Sequence, residues 1–147
     1  MPQDDPLAWR KRHGATPLST VGVCRSYQIA PRIFAFECTG HLDSDTMFGL
    51  FQSCWRAPGF DTPYGVVAAV VGETTYDPDL RTFADREGLV PAATVAVITD
   101  KVIQRMVLST VGIATRLRHG TVLTTHEHFD DGLAAVERTL AARLERT

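Results

Sequence analysis

The cluster in this chain most like a metal site is His126-Glu127-His128, two imidazoles around a carboxylate. On extended backbone, positions 126 and 128 share one side and can share a cation, while Glu127 turns to the other. Two ligands leave a tetrahedral site half built. His41 or His119 would have to complete it, and histidines at strand–helix junctions commonly face solvent, so no metal is expected. Nucleophilic catalysis needs a Ser or Cys with a base and an orienting acid, and the chain has no Gly-x-Ser-x-Gly elbow. It has no G-x-G-x-x-G and no Walker pattern to cradle a phosphate. Cys24, Cys38 and Cys54 are odd in number and lack Cys-x-x-Cys spacing, which argues against a disulfide framework or a zinc knuckle. They read as small core residues, and Cys54 falls on the apolar face of a helix, where a thiol is a poor nucleophile. The expectation is a protein that is not an enzyme and uses no cofactor.

Charge offers a second kind of chemistry, that of recognition. From Lys101 to His119 the formal charges are Lys101, Arg105, Arg116 and Arg118, all positive, whereas Glu73 to Glu87 carries five acids against Arg81 and Arg86. Such a dipolar arrangement orients a partner or pairs molecules head to tail. The expected contact surface is the loop from Gly72 to Asp79 with the adjoining helix starts: Glu73, Thr74, Thr75, Tyr76, Asp77, Asp79, Lys101 and Arg105. The basic triplet Arg10-Lys11-Arg12 reads as a solvated tail.

These residues need elements to hold them. At 147 residues, 44% hydrophobic and 22% charged, the chain suits one globular domain. Lys plus Arg at 15 against Asp plus Glu at 17 leaves a net charge of -2 and no excess for gripping a phosphate backbone, so no nucleic-acid partner is expected. The longest apolar run, Val66 to Val71, falls far short of the roughly 20 residues of a membrane helix, so no membrane insertion is expected. The acidic, proline-bearing start lacks the pattern of a secretory signal, which sets the expectation at cytoplasmic.

Residues 1–20 show no periodicity and read as a flexible arm, followed by a single domain over 21–147. Val21 to Ile29 and Ile33 to Thr39 are β-rich stretches that suit a hairpin across Ala30-Pro31-Arg32. Asp43 or Ser44 caps a helix whose Met47, Leu50, Phe51 and Cys54 share one face. Gly65 to Val71 reads as a central strand covered on both sides. Asp77-Pro78 opens a second helix, Thr94 to Thr99 a strand, and Asp100 a third helix through Ala114. A strand over Thr121 to Thr125 and a last helix with Leu133, Val136, Leu140 and Leu144 inside complete the order ββαβαβαβα. That order implies an α/β fold, a mixed, mostly parallel sheet with helices packed against it.

With Gly40-His41-Leu42-Asp43 joining strand to first helix, this order resembles the STAS domain, the family named for sulfate transporters and anti-sigma factor antagonists, over about residues 21–144. There a Gly-x-Leu-Asp turn introduces the first helix in the same place. The resemblance implies a bacterial signalling protein, a regulatory or scaffold module acting by protein–protein interaction, with a homodimer also allowed. The family's phosphorylated serine follows an aspartate at the second helix. Here Asp77 takes the aspartate's place, Pro78 stands where the serine belongs, and Ala69-Val70-Val71 replaces the preceding Asp-Leu-Ser. Thr74 and Thr75 are then the loop hydroxyls left to accept a phosphate, which a helix N-terminus favours and Glu73, Asp77 and Asp79 oppose. A divergent branch, the SpoIIAA-like proteins, is similar in lacking the Asp-Ser pair and in its long apolar third helix. It implies the alternative of a small-molecule or lipid carrier, with Met47, Phe48, Phe51, Trp55 and Met106 lining a pocket between the first and third helices.

Overall fold

The computed structural model describes residues 7–76, 88–99, 101 and 120–146. Their elements are α1 (Trp9–Arg12), β1 (Thr16–Val21), β2 (Cys24–Ala30), β3 (Ile33–Leu42), α2 (Ser44–Trp55), β4 (Gly65–Tyr76), β5 (Thr94–Ile98), β6 (Val122–His126) and α3 (Phe129–Glu145). The strands form one sheet in sequence order, β1 to β6. β1, β2 and β3 pair antiparallel, and β3 through β6 pair parallel, so the sheet is mixed and mostly parallel, with helices packed against it. The helices expected from Asp77 and from Asp100 lie outside the described residues.

Side chains alternate across the strands and split the interior into two layers. Phe34, Phe36, Cys38, Val66, Ala68 and Val97 face α2, whose Leu50, Phe51 and Cys54 bury against them. Ala35, Val67, Ala69, Ala96 and Ile98 face α3 through Phe129, Leu133, Val136 and Leu140. Asp43 caps α2 by accepting from the Thr46 amide at 2.7 Å, the role its position in the sequence predicts. Ser53 of α2 donates to the fully buried Ser26 hydroxyl of β2 at 2.7 Å, pinning helix to sheet.

Two departures from the sequence reading matter for the site. First, much of the stretch read as a flexible arm is structured. Trp9 is 1% exposed, stacked on Phe129 with centroids 4.4 Å apart and edge-on to Tyr27 at 5.3 Å. Arg12 and His13 both reach Asp130 at the start of α3, at 3.1 and 2.7 Å. Thr16–Val21 then adds an edge strand, and what reads as one strand from Val21 breaks at Gly22, whose φ of +61° sets a tight turn. A single buried aromatic in a polar stretch has no periodicity to betray it, and an edge strand carrying Pro17 and three hydroxyl residues lacks apolar alternation.

Second, β4 does not stop at Val71. Cys38 pairs with Val70 and Gly40 with Thr74, so β4 carries two extra residues at this point, and Gly72 takes the required left-handed conformation at φ +67°. Pairing then resumes through His41 with Thr75 and Leu42 with Tyr76. Residues 74–76, expected in a loop, are strand, as their β-branched and aromatic types favour once the bulge restores register.

Candidate functional site

The carboxyl ends of parallel strands are where open α/β sheets usually bind what they bind. Here β3 and β4 run on together past β5, whose pairing with β4 ends at Ala69 and Ile98. One step before the pair ends stand His41 and Thr75, both exposed, with Nδ1 and Oγ1 2.8 Å apart. Asp43 follows at the mouth of α2, and its bonds from Thr46 hold its carboxyl below the usual carboxylate range. Lys101 is exposed beyond β5, its amide donating to Thr99 Oγ1 at 3.2 Å.

Strand alternation separates the two threonines singled out as phosphoacceptors. Thr74 points inward, 7% exposed, with its hydroxyl toward the Val71 carbonyl at 3.5 Å. Thr75 points outward to His41. Glu73 and Tyr76 belong to the same strand, and Tyr76 stands opposite Leu42. Asp77, Asp79 and Arg105, also placed on the contact surface, lie outside the described residues.

Of the residues assigned to a ligand pocket, Phe51 is buried edge-on against Phe36 at 5.0 Å and Met47 is half-buried against the same core. Phe48 and Trp55 meet edge to face at 5.4 Å. Trp55 donates its indole N–H to the Tyr64 hydroxyl at 2.9 Å, and that hydroxyl donates to the Val90 carbonyl at 2.5 Å. Burial pushes the Tyr64 phenol pKa up, so the group stays a donor. Met106 lies outside the described residues, so the third-helix wall of the pocket is not among them.

His126 ends β6, half-buried, with Nε2 2.9 Å from Thr124 Oγ1, and burial lowers its pKa. His128 is exposed at the start of α3 and makes no side-chain cap. Among the described residues no group of three or more His, Cys, Asp or Glu is placed to hold a metal ion. Cys54 is fully buried and its pKa is pushed up by burial.

Sequence reasoning missed the partner of Thr75, because His41 figured there as a distant metal ligand and as part of the strand–helix turn, never beside the threonines. It also missed Glu37, which is 8% exposed on the α1 side of the sheet, 3.6 Å from Arg10 and 3.8 Å from Arg25. An acid inside the otherwise apolar run Ile33 to Cys38 was the available signal, since a carboxylate seldom enters a sheet without a cation. Arg10 also donates to the Tyr27 hydroxyl at 3.3 Å, so this network ties α1 to β2 and β3.

A scan against protein-family models and searches of curated proteins and of solved structures gave no match. Among the described residues no helix is long and apolar enough to cross a membrane.

Proposed function

We propose that this chain is a STAS-like regulatory or scaffold module that acts by binding another protein through the carboxyl ends of β3, β4 and β5. The observation that carries this reading is the paired extension of β3 and β4, which sets an exposed, hydrogen-bonded His41–Thr75 pair beyond the common length of the parallel sheet. The extension supplies a polar rim of donors and acceptors, and Lys101 adds a cation nearby. Charge complementarity there sets the orientation of the partner. In this reading Thr75, not the buried Thr74, is the hydroxyl open to modification, and a phosphate on it would add negative charge beside His41.

The test is capture from the native host with three baits: the wild-type chain, Thr75→Arg with Lys101→Glu, and Glu145→Lys as a control. Glu145 is exposed at the far end of α3, where Arg143 donates to the Gly120 carbonyl at the start of β6. The expected result is a defined protein retained by wild type and by Glu145→Lys and lost from the double variant, with unchanged circular dichroism. Equal capture by all three baits removes this surface. A small molecule released from the purified protein on denaturation, seen by comparing native and denaturing mass spectra, transfers the function to the carrier alternative.

A further inference from the structure

The cysteines lie far apart in sequence, yet strand register brings two of them together. β2 and β3 pair as Arg25 with Glu37, Ser26 with Phe36 and Tyr27 with Ala35. The same register extended by one residue sets Cys24 opposite Cys38. Both are 1% exposed in the layer beneath α2, and both are free thiols. Cys24 Sγ lies 3.6 Å from the carbonyl oxygen of Thr39, the residue after Cys38.

The hairpin on the other side of β2 determines which kind of pair this is. Val21 and Cys24 are partners across a two-residue turn, Gly22-Val23. Residues flanking such a turn exchange both backbone hydrogen bonds, so the N–H and C=O of Cys24 point toward β1. Toward β3, Cys24 and Cys38 therefore form a non-hydrogen-bonded pair, the type whose Cα atoms stand about 4.5 Å apart with side chains closest. That separation lies at the short end of the roughly 4.4–6.8 Å that disulfides span.

We propose that Cys24 and Cys38 are a redox-active dithiol, closing into a cross-strand disulfide by exchange with a small disulfide of the glutathione class. The thiolate of one cysteine attacks the small disulfide and expels one small thiolate, leaving a mixed disulfide. The second cysteine, deprotonated in turn, attacks the protein sulfur of that bond and displaces the other small thiolate. In balance, two protein S–H bonds break and one S–S bond forms. The small disulfide is reduced by two electrons, and its two thiolates take up the two protons released.

Burial, the neighbouring Cys24 and Glu37 all push the Cys38 thiol pKa up, so exchange proceeds when the β1–β2 tip opens. That tip belongs to an edge strand, and Val23 in its turn is 66% exposed. The separation lies within the range of disulfides, so the folded ladder accepts the bond, and opening of the exposed tip leaves it accessible to exchange. It would tie β2 to β3 at the residue where the β3–β4 register breaks, three residues before His41.

The experiment equilibrates the full chain in glutathione buffers of stepped oxidised-to-reduced ratio, followed by acid quench, alkylation and intact mass. Each ratio is approached from the folded reduced protein and from chain refolded out of urea in the same buffer, so slow access does not decide the result. The expected result is one common endpoint from both directions: a chain that carries one alkyl group in place of three and has lost two hydrogens (2 Da) besides, a chymotryptic peptide pair joining Cys24 to Cys38, and Cys54 alkylated. In urea the same bond should be about tenfold or more easier to reduce, since only the folded ladder holds the sulfurs together. Cys38→Ser should leave both remaining thiols free. Three free thiols from both directions at the most oxidising ratio, a linkage through Cys54, or glutathione adducts without an internal bond would overturn the proposal.

Discussion

Replacing Trp9 with alanine separates a docked N-terminal segment from a loose one. The indole is 1% exposed, lies flat on Phe129 and meets Tyr27 edge-on. Large-to-small replacement of a buried aromatic costs about 3–5 kcal/mol, through lost transfer free energy and the cavity left behind. Against a total stability of about 5–15 kcal/mol that is a large fraction. At about 2–4 °C per kcal/mol for a chain of this size, Tm should fall by roughly 6–20 °C. The assay is urea unfolding followed by far-UV circular dichroism, with Trp55 as the remaining fluorescent reporter. Trp9→Phe gives the matched control. It keeps the ring stack and deletes Nε1, which is buried with no hydrogen-bond partner among the described residues, so its loss should be much smaller than that of alanine. An alanine variant within about 0.5 kcal/mol of wild type would mean that the segment is the mobile arm its sequence suggests, and that the contacts of Arg10, Arg12 and His13 contribute nothing lasting.

Two further outcomes follow from the packing and charge of α3. A Cβ on Gly65 would stand 2.5 Å from Val136 Cγ1 and 3.1 Å from Thr94 Cγ2, so Gly65→Ala should destabilise by about 1–3 kcal/mol despite the better backbone entropy of alanine; in a Val136→Ala background most of that penalty should vanish, and an unchanged penalty in the double-mutant cycle would refute the clash. The His13 and Arg12 hydrogen bonds hold the Asp130 carboxyl below its ordinary value, so its contribution is present above an unfolded pKa of about 3.9 and is lost as pH falls through the lower folded value. Asp130→Asn should flatten the acid limb of a urea-midpoint profile from roughly pH 5 downward and leave its salt dependence weaker; a limb identical to wild type would remove this ion pair from the stability of the segment.

The parts of the fold legible in the sequence are those with a local signature. The valine run before Val71 reads as a buried strand because both its faces are apolar, and Asp43 reads as a cap because a carboxylate four residues before Met47 has an orphan amide to bind. The last helix carries Leu133, Val136, Leu140 and Leu144 at helical spacing and buries the first three, while Leu144, read as inward-facing, is 41% exposed near the helix end. What escaped the sequence depends on partners distant along the chain. Trp9 is core only because Phe129 lies beneath it, and Thr16–Val21 is strand only because β2 offers an edge. Thr75 became strand because two residues are looped out at Gly72, an event that no pattern in Glu73-Thr74-Thr75-Tyr76 announces. The meeting of Cys24 and Cys38 is a property of register, which the turn at Gly22 sets and cysteine spacing does not.

These same features make the molecule uneven in stiffness, and the unevenness bears on the site. On the α3 side, Gly65 and Gly132 let helix and sheet approach so closely that a single methyl at either would collide with Val136 or Ile98. Close packing of that kind leaves little room for motion. The end of the β3–β4 pair is built differently: it lies beyond a bulge, past the end of β4's pairing with β5, with its outward side chains in solvent. Local opening draws on exposed positions, and at this end His41 and Thr75 are exposed while Leu42 anchors β3 in the core. A partner that orders His41 and Thr75 would therefore bear most of the ordering cost in its own binding free energy. A Cys24–Cys38 bond, fixing β3 three residues before His41, would lower that cost before the partner arrives. Tighter partner binding by the oxidised chain than by the reduced one is the coupling expected if both the contact surface and the dithiol are real.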